Sequence, residues 1–389
     1  MDESSKLEII NKIVILRLDL NVPVFEGKIL SDFRIYKSIP TIKNLLSKKN
    51  RVIILSHFGR PQEGKYDEAF SLNIISKKLE SLIGEKITFS KDWINGVDFK
   101  NNNIVLCENV RFQEGEKKNS SELAMKISNL GDIFIFDAFG VSHRKEASTY
   151  GVADFLKTYP GDLLKNEIIN ANKLINSSLK PLTTIISGAK ISTKLTLIKK
   201  LLDKSDNVIL GGGILNTFLA AMNYEIGNSL VENSFIKEAK EILKTESSNK
   251  IVIPIDVNTS QRADLDKPQM KDISMIQSKD RILDIGKETI NRYIRVINES
   301  STIFWNGPLG YVEKSPYDNG TKLISQAIAS SKAYSIVGGG DTIPIIEALG
   351  LQDEFSCLST GGGSLLKYIE GEKLPVLEGL GMYKLWEKE

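Results

Sequence analysis

Short runs of β-branched and aliphatic residues recur along the chain, each stopped by Gly, Pro or charge and followed by a longer segment whose apolar positions have helical spacing. This alternation predicts parallel α/β sheets. In the first half the expected strands are 13–18, 51–55, 103–107 and 133–136, with amphipathic segments such as 39–46 and 72–83 between them. The second half repeats the scheme at 183–186, 207–210, 250–252, 302–304, 334–337 and 355–358, mostly with glycine-rich turns behind. Between them Pro160-Gly161 punctuates the chain and introduces 162–176, a long helical pattern suited to a connecting helix. The expected architecture is α/β, with two Rossmann-like domains, each a parallel sheet flanked by helices, joined by a hinge helix. Their expected spans are 1–165, with 373–389 packing back on it, and 166–372. Segments 245–249 and 259–271 read as exposed loops.

Open α/β sheets gather ligands at the carboxyl ends of their strands, so chemistry is sought there. In the first half these ends read RLDLNVP, SHFGRP, ENVRF and DAFGVSHR. Together with Arg34 from SDFRIYKSIPTI they supply Arg34, Arg60, Arg111, Arg144, His57 and His143, and the chain's two histidines both fall in this set. Converging guanidinium groups fit phosphate and carboxylate bidentately. Asp19 and Asn21 follow the first strand and suit the hydroxyl of a small polyanionic acid; pairing of Asp19 with Arg17 or Arg34 is the alternative.

The second half ends its strands in glycine: SGAKISTK, GGGILNTF, WNGPLG, GGGDT and STGGG. Glycine lets backbone N–H groups approach phosphate oxygens, although a single such turn is often only conformational. Lys190 and Lys194, four apart at the start of a helical pattern, would place both ammonium groups on one face; a solvated charged face is the bland reading. Asp341, between a triple glycine and a helix start, reads either as a Mg²⁺ ligand or as a helix N-cap.

Bulk properties narrow the class. Lys and Arg outnumber Asp and Glu by only 51 to 49 and are spread along the chain, so there is no footprint for nucleic acid or an anionic membrane. No stretch approaches the ~18 uninterrupted apolar residues of a membrane helix, and the opening MDESSKLEII lacks an apolar core, which together give the expectation of a cytoplasmic protein. Cys107 and Cys357, each beside an expected strand, read as buried reduced thiols. The P-loop motif, the protein-kinase H-R-D loop and the G-x-G-x-x-G dinucleotide fingerprint do not occur.

With these residues assembled, the sequence resembles the bacterial branch of the phosphoglycerate kinase family. The resemblance runs in order through RLDLNVP, PTI (40–42), SHFGRP, ENVRF, DAFGVSHR, GAKISTK, GGGILNTF, WNGPLG, GGGDT, STGGG and EGEKLP (370–375), with KDW (91–93) and ILDIG (282–286) as further wording. It implies that Asp19, Leu20, Asn21, Arg34, His57, Phe58, Gly59, Arg60, Arg111, His143 and Arg144 hold the phosphoglycerate. It implies equally that Lys190, Lys194, Gly211, Gly212, Gly213, Pro308, Glu313, Gly338, Gly339, Gly340, Asp341 and Thr342 serve the nucleotide. Glu313 would face the ribose, Gly211 to Gly213 and Pro308 the adenine, and Asp341 a Mg²⁺ carried by the phosphates. Arg34, Lys190, Lys194 and Gly339 would be catalytic. Phe136, Lys367, Pro375 and the stretch 256–260 depart from the usual pattern, and none is a presumed ligand.

The implied reaction is reversible phosphoryl transfer between 1,3-bisphosphoglycerate and ADP, giving 3-phosphoglycerate and ATP, by hinge closure and in a monomer. Such a transfer needs alignment and positive charge and requires no protein nucleophile. Two rival readings are weighed against it. A NAD-dependent dehydrogenase would need the missing fingerprint, and a non-catalytic phosphate-binding protein could keep the fold alone.

Overall fold

A computed structural model describes residues 9–262 and 267–383. The opening residues 1–8, the centre of the expected 259–271 loop and the last six residues of the expected 373–389 return segment lie outside that description. Two compact units emerge, one formed by 9–169 with 363–383 and the other by 170–362. The division falls inside the helix Asp162–Asn176.

In the first unit six parallel strands lie in the order Ile87–Ser90, Ile104–Cys107, Arg51–Leu55, Ile13–Leu18, Ile133–Asp137, Thr158–Pro160. Ile13–Leu18 and Arg51–Leu55 are buried along nearly their whole length, the pattern of strands covered on both faces. One cover is the helix Phe33–Ser47, which buries Ile35, Ile39, Ile42 and Leu45 at helical spacing. Another is Asn73–Ile83, which ends where Gly84 takes the left-handed conformation at φ 81°. The chain enters the sheet at its centre, builds to one side and then crosses to Ile133–Asp137 on the other. Growth therefore reverses beside Ile13–Leu18, and a crevice opens there at the carboxyl ends.

The second unit has five parallel strands in the order Asn207–Gly211, Leu182–Ser187, Thr302–Asn306, Tyr334–Gly338, Cys357–Ser359. Its growth reverses between Leu182–Ser187 and Thr302–Asn306. A separate antiparallel sheet, Gln269–Asp272, Asp256–Ser260, Arg281–Ile285, stands beside these strands in the sequence and was not legible in the apolar pattern. It takes up both ends of the segment read as the 259–271 loop, because VNTS finds partners on each side. The expected strand 250–252 is instead a single bridge from Ile251 to Val208, preceded by a 3-10 turn, Glu246–Lys250, where an open loop was expected. The edge strands Ile87–Ser90 and Thr158–Pro160 are short and half-polar, which hid them. Cys107 is buried and Cys357 only partly so, and neither forms a disulfide.

Candidate active site

The cationic rim of the first unit is built from four consecutive strand ends. Asp19 pairs with Arg34 at 2.9 Å, and Arg34 also donates to the Asn21 carbonyl at 3.0 Å. The Asn21 side chain accepts from Gly59 N at 2.8 Å, and the Gly59 carbonyl accepts from Arg111 at 2.7 Å. Arg111 in turn meets Glu146 at 3.3 Å, and Glu146 meets Arg144 at 3.7 Å. His143 touches Arg144 through Nε2 at 3.3 Å. Asp19, Asn21, Arg34, Gly59, Arg111, His143 and Arg144 are thus brought to one rim, with His57 buried just behind Asp19, whereas Leu20 and Phe58 turn their side chains into the hydrophobic core of the unit and do not line it. Arg60 sits exposed beside Gly59.

His57 is buried, and burial, reinforced by Arg17, Arg111, Arg144 and Arg34, holds its pKa well below the ordinary value. The ring is neutral, so its 3.9 Å approach to Asp19 is not an ion pair. A neutral imidazole among guanidinium groups can hydrogen-bond a hydroxyl or carboxylate without adding charge.

Sequence reasoning missed what lies beneath this rim. Arg17, fully buried inside its strand, donates through Nε to Ser148 at 3.0 Å and through another nitrogen to the Leu18 carbonyl. Ser148 also meets the buried Glu116, whose carboxyl is pushed up to about 7 by burial, against the pull of Arg17. The available signal was the Arg itself: a charge within the run IVILRL demands buried counter-charges.

In the second unit, Lys194 is mostly buried at the point where strand growth reverses. Its ammonium donates to the Ser187 carbonyl and packs between Gly188 and Gly307. Burial lowers its pKa to about 8, partly offset by Asp341. Gly307 has φ +96°, and a Cβ there would stand 2.1 Å from the Ser187 carbonyl oxygen and 3.2 Å from Lys194 Nζ. Gly307→Ala should therefore destabilise the fold by about 1–3 kcal/mol, read as a lowered thermal midpoint in calorimetry.

Beside Lys194 opens a cavity of about 390 Å³, lined by Gly188, Gly212, Gly213, Pro308, Glu313 and Asp341 among others. The helix Gly212–Ala221 begins at its wall, with Gly212 at φ +59°. Gly211 is buried against Ser187 and Leu309 and does not line it. Asn216, Leu230, Tyr311 and the strand Arg281–Ile285 complete the wall. Asn216 falls within GGGILNTF and Ile282 to Ile285 within ILDIG, but neither motif signals by itself that these residues line a cavity, and Leu230 and Tyr311 lie in no quoted motif.

Lys190 does not share a helix face with Lys194. It has extended backbone, φ −127° and ψ 121°, ahead of a 3-10 turn, and its side chain is exposed. Gly338, Gly339 and Gly340 lead from the strand Tyr334–Gly338 to Asp341 and Thr342, and the Thr342 hydroxyl is buried with no hydrogen-bond partner among the described residues. Among the described residues no three His, Cys, Asp or Glu cluster to hold a metal ion, and no helix is long and apolar enough to cross a membrane.

Comparison with known proteins places these features in context. The family model for phosphoglycerate kinase matches residues 4–372. A phosphoglycerate kinase of Francisella tularensis subsp. novicida is 44% identical over 372 residues, covering 95% of each chain. The solved structure of phosphoglycerate kinase from Coxiella burnetii superposes with a TM-score of 0.85 at 41% identity, covering 97% of this chain and 98% of that one. That of phosphoglycerate kinase from Pyrococcus horikoshii superposes with a TM-score of 0.86 at 29% identity, covering 99% of this chain and 100% of that one.

Proposed function

The chain belongs to the phosphoglycerate kinase family, and from that premise we propose how its two rims divide the reaction between them. The cationic rim of the first unit takes 3-phosphoglycerate, with Arg111, Arg144 and Arg60 toward the phosphate and Asp19, Asn21 and His57 toward the hydroxyl and carboxylate. The glycine-lined cavity of the second unit takes ADP or ATP, with Glu313 toward the ribose. The single observation that carries this reading is Lys194, an ammonium already desolvated at a strand-growth reversal, with glycine on both sides and the cavity alongside.

In the ATP-consuming direction a carboxylate oxygen of 3-phosphoglycerate attacks the γ-phosphorus of ATP. The bond from that phosphorus to the bridging oxygen of ADP breaks, and no protein atom is covalently involved. Negative charge spreads over the transferring phosphoryl oxygens, so the protein's task is to align the partners and supply cations. Lys194 and Arg34 are the cations assigned to that charge. Ligands held on separate units meet only through the hinge closure of the family, which also sheds the water that would hydrolyse an acyl phosphate.

Mg²⁺ fits the residues present. Asp341 is an exposed carboxylate at the cavity wall with an unpartnered buried hydroxyl, Thr342, next to it. A Mg²⁺ borne by nucleotide phosphates commonly takes one or two carboxylates and keeps its waters. Asp341 would hold it, and the ion would supply positive charge against the phosphates.

Purified protein, Mg-ATP and 3-phosphoglycerate, coupled to glyceraldehyde-3-phosphate dehydrogenase and NADH, should give prompt loss of NADH absorbance. Absence of turnover with both ligands still bound would instead favour a phosphate-binding protein that retains the fold.

A further inference from the structure

Arg144 is held at two of its three nitrogens. Its Nε lies 3.3 Å from His143 Nε2, and its NH1 lies 3.7 Å from Glu146 Oε1, which Arg111 shares at 3.3 Å. The far side of the imidazole, Nδ1, lies 2.7 Å from Ser364 Oγ. Ser364 is fully buried in the first turn of the helix Gly363–Glu370, where the chain re-enters the first unit.

The chemistry of these atoms fixes the proton. An arginine Nε always carries hydrogen, so His143 Nε2 must present its lone pair. The proton then resides on Nδ1 and is donated to the Ser364 hydroxyl oxygen. The opposite tautomer would set two N–H groups against each other at 3.3 Å. A protonated ring would do the same, and burial, with Arg144 and Lys367 against Glu146 and Asp19, keeps the ring neutral.

We propose that His143 is a positioning residue, held as its Nδ1–H tautomer by Ser364, which fixes Arg144 so that its remaining edge meets the phosphoglycerate anion. The side chain of Arg144 is 33% exposed, so that edge is open to a ligand. The idea rests on the assignment of phosphoglycerate to this rim, and it gives Ser364, which is fully buried, a part in binding. A guanidinium fixed in advance loses less freedom on meeting an anion, so removing the relay should weaken acid binding while the transfer step stays intact.

The test uses the full-length protein labelled with ¹⁵N at histidine. With only two histidines in the chain, the ring signals separate readily. The wild type should show His143 with an unprotonated Nε2 and a protonated Nδ1. Ser364→Ala should shift the ring toward the Nε2–H form and raise KM for 3-phosphoglycerate about three- to tenfold. It should leave kcat and KM for Mg-ATP unchanged, and Ser364→Thr should restore both tautomer and KM. An Nε2–H ring in the wild type overturns the proposal without any variant, as does an unchanged KM in Ser364→Ala. A wild type inactive in the coupled assay would count against the reaction assignment, whereas the ring tautomer would still decide the relay.

Discussion

Lys194→Ala should lower kcat at least about 100-fold while KM for Mg-ATP moves only a few-fold. The ammonium is mostly buried, tethered to the Ser187 carbonyl and confined by Gly188 and Gly307, so it is already placed before any ligand arrives. A preset cation contributes most where charge is developing, which is the transferring phosphoryl, and less to the bound nucleotide. Its lowered pKa of about 8 adds a pH signature. The charged form is required and exists below that value, so kcat/KM for Mg-ATP in the free enzyme should be full near pH 6.5 and fall as the pH rises through about 8. Lys194→Arg, which cannot lose its proton, should lack that alkaline limb even if slower. Steady-state rates across pH 6 to 10 check both statements. A loss confined to KM, with kcat untouched, would reassign Lys194 to simple nucleotide binding.

How much of this was legible beforehand depended on what each residue's neighbours in sequence reveal. The strands Ile13–Leu18 and Arg51–Leu55 announce themselves because both faces are covered, which forces a nearly continuous apolar run interrupted only by Arg17 and opened by Arg51. The strand ends are equally plain, since Arg, His and Gly repeated just past such runs have few other reasons to be there. The antiparallel strands Asp256–Ser260, Gln269–Asp272 and Arg281–Ile285 are not legible, because half-polar strands away from the main sheets share the composition of loops. One wall of the cavity beside Lys194, Arg281 to Ile285, comes from this sheet. Lys190 shows a different limit. Spacing of four implies a shared face only if the helix has already begun, and here it begins after Lys194. The position of Asp19 after the first strand suits either a ligand or an ion pair, and in the structure it is paired with Arg34.

Beneath the cationic rim of the first unit the largest effect expected on stability comes from Arg17. Arg17→Met should destabilise the protein by about 3–5 kcal/mol at pH 8, the usual cost of leaving a buried charge without its partner. Arg17 is fully buried, and the carboxylates of Glu116, Glu146 and Asp19 all act on it. Glu116, also fully buried, keeps only Ser148 once the guanidinium is gone. The penalty should depend on pH in a definite sense. Burial already raises the Glu116 carboxyl to about 7, far above its unfolded value, and losing Arg17 raises it further. A carboxyl with a raised folded pKa contributes stability that is present at low pH and lost as the pH climbs through that pKa. The variant should thus lie closer to wild type at pH 6, where Glu116 takes up a proton, than at pH 8. Adding Glu116→Gln should recover much of the loss at pH 8 and flatten the difference between the two conditions, because no charge then remains to be left unpaired. Urea midpoints of the wild type, single and double variants at both pH values decide the matter. An equal penalty at pH 6 and pH 8 would mean that lost packing, and not the stranded carboxylate, governs the cost. The same pair should leave KM for Mg-ATP unmoved, since the network lies wholly within the first unit and the glycine-lined cavity within the second.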